Sequence, residues 1–425
     1  MTSRTLAVTL FLLCAGSAAA QSTDSGKLAF LLPNIYGPAG LTLANPDHYA
    51  HFTSSFQSSF TPFNSAMARQ LTSLPIPSPA SGFTYSFDPA LGVYTRSARS
   101  FGPALAERAE TLGKDKFLFG FSYQHFTFTS IDGLNLRSIP AVFEHAPAAN
   151  PDYVKDIITA DNFIDTQVGQ LTGFLSYGLT NRIDVSVAVP LLSVSLTAVS
   201  HATIRRIGTS DEPDIHTFGT PGGGTQATFN SQGSANGIGD TIVRLKATAV
   251  KWEGGGIAAA VDVRLPTGDE YNFLGSGALG VKPFIAVSQQ IGSVSPHVDL
   301  GYQWNGKSAL EGNVVTGVKA TLPRALDYAA GADIGLTSKM TLALDLLGQR
   351  VTADRVLGRT YIAANGQTFP TIGFERSGYN VLSGSTGIKI NPGGRFVIAV
   401  NALFRLNHTG LRSKVVPLIG LSYTL

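Results

Sequence analysis

The chain has 425 residues, of which 44% are hydrophobic and only 14% charged, with 46 glycines and a formal net charge of +3. So small a positive excess excludes a nucleic-acid binder held by charge, and the single cysteine, Cys14, excludes an internal disulfide framework. Beyond the first 20 residues no apolar run reaches the roughly eighteen residues of a membrane-crossing helix.

Residues 1–20 carry Arg4, an apolar run over 6–15, and then Ser17-Ala18-Ala19-Ala20 before Gln21. That is the order of a secretory signal, and the mature chain is expected to begin at Gln21. A lipoprotein reading of Cys14 is disfavoured, because Leu13 stands where a small residue is needed and a better cleavage site follows.

Residues 21–115 lack strand alternation. Phe52, Phe56, Phe60 and Phe63 recur at intervals of about four in a Ser-rich stretch, Pro75, Pro77 and Pro79 break the chain, and 103–112 is predicted as one short helix. Two readings stay open: a periplasmic extension packed by its own aromatics, or a plug folded into a lumen.

From residue 116 onward the pattern changes to period two. Between 183 and 191 the odd positions are Ile183, Val185, Val187, Val189 and Leu191, opposite Asp184, Ser186 and Ala188. The device repeats over 240–250, 257–266, 281–291, 294–304, 326–336, 340–351 and 395–406, and less cleanly over 116–130, 165–179 and 379–390. The final strand, 414–425, alternates Val415, Pro417, Ile419, Leu421, Tyr423 and Leu425 with differently sized residues and ends on Leu where such strands usually end on Phe.

Connections test the pattern independently. The short ones (180–182, 252–256, 292–293, 337–339, 391–394) carry turn chemistry, such as Thr180-Asn181-Arg182 and Asn391-Pro392-Gly393-Gly394. They alternate nearly throughout with longer ones at 131–164, 204–238, 267–279, 305–325, 352–378 and 407–413. Short turns on one side and long loops on the other are the sorting of a transmembrane antiparallel β-barrel. The expected architecture is therefore all-β: a signal at 1–20, a non-barrel segment at 21–115, and an outer-membrane barrel of about twelve strands at 116–425.

The charged face of five consecutive strands carries Asp240, Arg244, Lys246, Asp262, Arg264, Lys282, His297 and Asp299. These are the candidate lumen-lining residues on a solute path. Charges in a narrow lumen must pair, so they either stiffen the wall as an ion-pair network or form a constriction that filters solutes. Gly237 and Gly239 read as relief of crowding where an outer loop re-enters the sheet, and Pro266-Thr267-Gly268-Asp269 as a strand end and turn.

Enzymatic signals are weak. His201 and His216 fall in or beside a long outer loop, His297 shares a face with Asp299, and no Ser stands in a nucleophile context. Asp211, Glu212 and Asp214 do not match a calcium loop, since Pro213 interrupts them. No catalytic residue, metal ligand or cofactor is expected.

Gly237-Ile238-Gly239-Asp240, the strand bearing Arg244 and Lys246, Leu265-Pro266-Thr267-Gly268-Asp269, and Pro296-His297-Val298-Asp299-Leu300-Gly301-Tyr302 resemble the MetA-pathway phenol-degradation family of outer-membrane channels. The chain is also distantly similar in style to long-chain fatty acid and toluene transporters. The resemblance implies passive uptake of small hydrophobic or aromatic compounds, with outer-membrane lipid and that solute as partners. The alternative is a structural or adhesive barrel without transport, its adhesion carried by the long outer loops.

Overall fold

Ile419 lies opposite Tyr123 and Leu421 opposite Phe121, so the last strand of the sheet pairs with the first and the wall has no open edge. The computed structural model describes residues 26–37, 40–53, 61–73, 85–88, 93–96, 100–220 and 222–425. The expected signal over 1–20 with Cys14, and Phe56, Phe60, Pro75, Pro77 and Pro79, lie outside them. The twelve wall strands, all paired antiparallel, are β1 (Phe117–Ile131), β2 (Ile157–Gly178), β3 (Ile183–Arg205), β4 (Thr241–Trp252), β5 (Gly255–Leu265) and β6 (Gly280–Gln289). They continue as β7 (Val294–Asn305), β8 (Ala325–Thr337), β9 (Met340–Ile362), β10 (Thr368–Ile390), β11 (Phe396–Arg405) and β12 (Val415–Thr424).

The outward face carries a continuous apolar belt: Phe121 on β1, Val298 and Leu300 on β7 and Ile419 on β12 are all more than half exposed. A closed barrel satisfies every ladder hydrogen bond internally, and such a belt is a surface for hydrocarbon. The protein is an outer-membrane barrel.

On β3 the two faces exchange chemistry partway along. Up to Leu191 the outward residues are aliphatic, whereas beyond it they are Ser193, Ser195 and Thr197, and the buried inward ones become Leu192, Val194, Leu196 and Ala198. The membrane band therefore ends near Leu191: 183–191 is about the length that crosses a bilayer, and the remainder of the 23-residue strand lies above it. Above that level the long strands form a collar in water with an apolar interior.

This collar holds the core. The short helix α1 (Leu28–Leu31) and the helix α2 (Thr61–Thr72) pack into it, the latter through Phe63, Ala66, Met67 and Leu71 at helical spacing. They meet Phe126 and Leu196 of the wall and Leu310 of the hairpin Lys307–Asn313 and Val318–Thr321, which folds from the long β7–β8 connection.

Three expectations are corrected. Residues 103–112 form no helix: the segment is extended because wall side chains take up its backbone polar groups, and the helix lies instead at Thr61–Thr72. The connection 204–238 contains a strand, Gln226–Ile238, paired with the upper half of β3, with Ser234 opposite Ser195. Its Gln, Ser, Asn and Gly residues carry no apolar alternation because no lipid faces it. Finally, β2, β9 and β10 run to 22 or 23 residues, well beyond the membrane-crossing parts visible in the sequence.

Candidate lumenal site

Residues 100–112 cross the lumen near the periplasmic turns, held by the main chain. Backbone amides of Phe101, Leu105, Glu107, Ala109 and Leu112 donate to Thr341 Oγ1 (3.0 Å), Asp345 Oδ2 (3.1 Å), Asp299 Oδ2 (2.6 Å), Ser288 Oγ (3.0 Å) and Asp184 Oδ2 (2.9 Å). Lys389 Nζ donates to the carbonyls of Phe101 (3.3 Å) and Pro103 (2.5 Å), Lys246 Nζ to those of Arg108 (3.3 Å) and Glu110 (2.7 Å), and Thr248 Oγ1 to Ala109 (2.6 Å). The acceptors and donors come from β3, β4, β6, β7, β9 and β10, so the segment reaches across the barrel rather than along one wall.

Above this bar and below the end of α2 lies a cavity of about 250 Å³. Thr72 and Ser73 roof it, Leu105 and Glu107 floor it, and its walls carry Phe284, Leu347, Val381 and Leu403 together with charged groups.

Most of those charges on β4, β5 and β6 are paired. Arg244 grips Asp262 of the adjacent strand through Nε (2.6 Å) and Nη2 (2.8 Å), and its Nη1 reaches Glu107 Oε2 at 2.5 Å. The guanidinium also lies 4.9 Å from the centre of the Phe284 ring. Lys282 Nζ stands 3.6 Å from Asp262 Oδ2. Arg264 is 3.6 Å from Asp240 and donates to Asn305 Oδ1 (2.8 Å) and to the Thr72 carbonyl (3.3 Å), tying the wall to the end of α2.

Of the eight residues expected along the lumen, Arg244, Asp262, Arg264, Lys282 and Asp299 border the cavity. The other three are inward-facing but engaged elsewhere. Asp240 accepts from Ser276 N (2.8 Å), Ser276 Oγ (2.6 Å) and Gly268 N (3.2 Å), pinning the β5–β6 loop. Lys246 serves the crossing segment and Glu107 (3.2 Å). His297 Nε2 lies 2.8 Å from Asp345 Oδ1, and its Nδ1 lies 3.4 Å from Asp333 Oδ1. A Cβ at Gly237 would come within 2.9 Å of Leu274 Cδ1 in that same loop, and one at Gly239 within 2.9 Å of Pro190 Cγ on β3 and 3.1 Å of the Leu274 carbonyl oxygen.

Sequence reasoning missed Glu107, which belongs to a segment with no strand pattern, and Phe284. The latter was legible: it shares the parity of Lys282 and Ser288, and only its apolar character hid it among lipid-facing neighbours.

The family model described as "Putative MetA-pathway of phenol degradation" matches residues 165–406. Among solved structures, an outer membrane channel from Pseudomonas putida F1 is 14% identical with a TM-score of 0.42, covering 75% of this chain and 98% of that one. A toluene transporter of Ralstonia pickettii is 13% identical with a TM-score of 0.34 over 77% of this chain and 95% of its own. A FadL homologue from Pseudomonas aeruginosa is 9% identical with a TM-score of 0.31 over 73% and 90%. No curated protein matches the chain in sequence.

Proposed function

The chain belongs to the MetA-pathway phenol-degradation family, and from that premise we propose that it carries small hydrophobic or aromatic molecules passively across the outer membrane, with residues 21–115 acting as its plug. The observation that carries this reading is the cavity: a partly open space of about 250 Å³ between α2 and the crossing segment, just below the roughly 300–1,000 Å³ of sites for drug-sized ligands. Arg244 is balanced by Asp262 and Glu107, so along the wall that carries Phe284 a solute meets the ring beside an ion pair rather than a bare charge. The crossing segment must shift for passage, and it is held by hydrogen bonds to polar side chains that water can replace as it moves.

An enzymatic role finds no support at His297, whose two nitrogens face Asp345 and Asp333 and leave none to activate a nucleophile. The test is uptake of phenol and of an anionic aromatic of similar size by proteoliposomes containing the full chain. Faster entry of the neutral solute than in empty vesicles supports the proposal; equal rates with and without protein, for both solutes, would leave a structural or adhesive barrel as the better reading.

A further inference from the structure

Four of the eight histidines converge at one point on the aqueous collar. His48 ends the short turn Pro46–His48 and His51 follows it, both in the N-terminal segment. His145 ends the strand Ile139–His145, and His216 lies in the connection after Arg205. Ring centres of His48 lie 4.8 Å from His216 and 5.1 Å from His51, and those of His145 lie 5.0 Å from His216 and 5.1 Å from His51. One ligand nitrogen each from His48, His51 and His145 falls within 4.8 Å of the others.

The hydrogen bonds around the cluster set which nitrogens carry lone pairs. His145 Nδ1 lies 2.6 Å from the Ala146 carbonyl, which only accepts, so Nδ1 holds the proton and Nε2 a lone pair. His216 Nδ1 lies 2.7 Å from Asp156 Oδ2. That carboxylate also accepts from the amides of Ile207 (2.7 Å), Gly208 (2.8 Å) and Thr209 (3.2 Å) and from the Thr209 hydroxyl, which fixes it as the acceptor and leaves His216 Nε2 with a lone pair. Both lone pairs point at one atom: His48 Nδ1 is 3.2 Å from His145 Nε2 and 3.2 Å from His216 Nε2. A single ring proton can serve only one of them. His51 Nδ1 is buried with no hydrogen-bond partner among the described residues.

A cation at the centre resolves all of these contacts together. Ligands of a tetrahedral zinc ion at 2.0–2.1 Å stand about 3.3 Å apart, close to the 3.2 Å separations here. Imidazoles oriented by a carboxylate or a carbonyl on the far nitrogen are the usual supports of such an ion, and His216 with Asp156 and His145 with Ala146 supply both forms. We propose that His48, His145 and His216, with His51 as the fourth ligand, bind one divalent transition-metal ion of the zinc type at the outer mouth of the barrel. Because two ligands come from the N-terminal segment and two from the collar, the ion fastens that segment to the rim. The site stands independently of whether residues 21–115 gate a channel.

The test is calorimetric titration of ZnCl₂, with MgCl₂ as the comparison, into the untagged full-length mature protein in detergent after chelator treatment, with heat-modifiable gel mobility as the check on folding. One zinc per chain should bind, with no magnesium signal, and zinc should raise the thermal midpoint. His216→Gln and His51→Gln should each weaken zinc binding about tenfold or more, the order seen when metal-site partners are lost, while His201→Gln, at an exposed histidine outside the cluster, should leave it unchanged. His51 is only partly buried, so its variant reports on ligation even if His216→Gln fails to fold. Absence of saturable zinc binding, or equal affinity in folded His51→Gln and the unaltered chain, overturns the proposal.

Discussion

Arg244 and Glu107 meet at 2.5 Å, joining the barrel wall to the segment that crosses its lumen through a buried ion pair. Arg244 also holds Asp262, so its loss leaves Glu107 with Lys246 alone and Asp262 with the more distant Lys282 alone, both carboxylates being buried. Arg244→Ala is expected to destabilise the barrel by about 3–5 kcal/mol, read as a lowered urea midpoint in detergent. Glu107→Gln leaves Arg244 its bidentate partner and should cost distinctly less. Equal losses for the two would mean that Glu107, and not Asp262, is the dominant partner.

The same pair bears on passage. Removing the Glu107 carboxylate releases Arg244 from the crossing segment and leaves Lys246 only the carbonyls of Arg108 and Glu110. Glu107→Ala should therefore raise the frequency of conducting steps in a planar bilayer relative to the unaltered chain. An unchanged recording would place the barrier elsewhere, most plainly in the collar packed by α2.

Gly178 gives a backbone test of the seating. A Cβ at this position would lie 1.9 Å from the Gly113 carbonyl oxygen, and main chain on both sides leaves no flexible side chain to yield. Gly178→Ala should cost about 1–3 kcal/mol and expose the end of the 100–116 segment, around Gly113, to protease added from the periplasmic side. Protection as complete as in the unaltered chain would show that the segment tolerates the displacement.

Depth in the membrane can be read by introducing charge on the outer face. Leu300, 53% exposed in mid-strand, faces hydrocarbon, whereas Ile362, 70% exposed, ends β9 far up the collar. Leu300→Arg should cost about 2–4 kcal/mol and Ile362→Arg about 0–1 kcal/mol, measured by unfolding in lipid vesicles. Comparable costs at the two sites would move the band inferred from β3.

Alternation made the wall legible because a strand between lipid and lumen must differ on its two faces, and 183–191, 294–304 and 414–425 do so without exception in their outward residues. Above the membrane that constraint lapses, which is why Gln226–Ile238 reads as a loop although it pairs residue for residue with β3. The lumenal charges followed from parity alone. Their partners did not: Glu107 lies 137 residues from Arg244 in sequence. The histidine cluster was hidden for the same reason, since His48 and His216 are separated by 168 residues and each, taken alone, is an ordinary loop histidine.

The lumen grips residues 100–112 by amides and carbonyls, through Thr341, Asp345, Asp299, Ser288, Asp184, Lys389, Lys246 and Thr248. Recognition of this kind is indifferent to what most of the segment's own side chains are. Mutational drift along the bar can therefore retune the shape and polarity of the cavity floor, at Leu105 for instance, without unfastening it. The wall is the fixed tool in such an arrangement, and the bar is a replaceable insert.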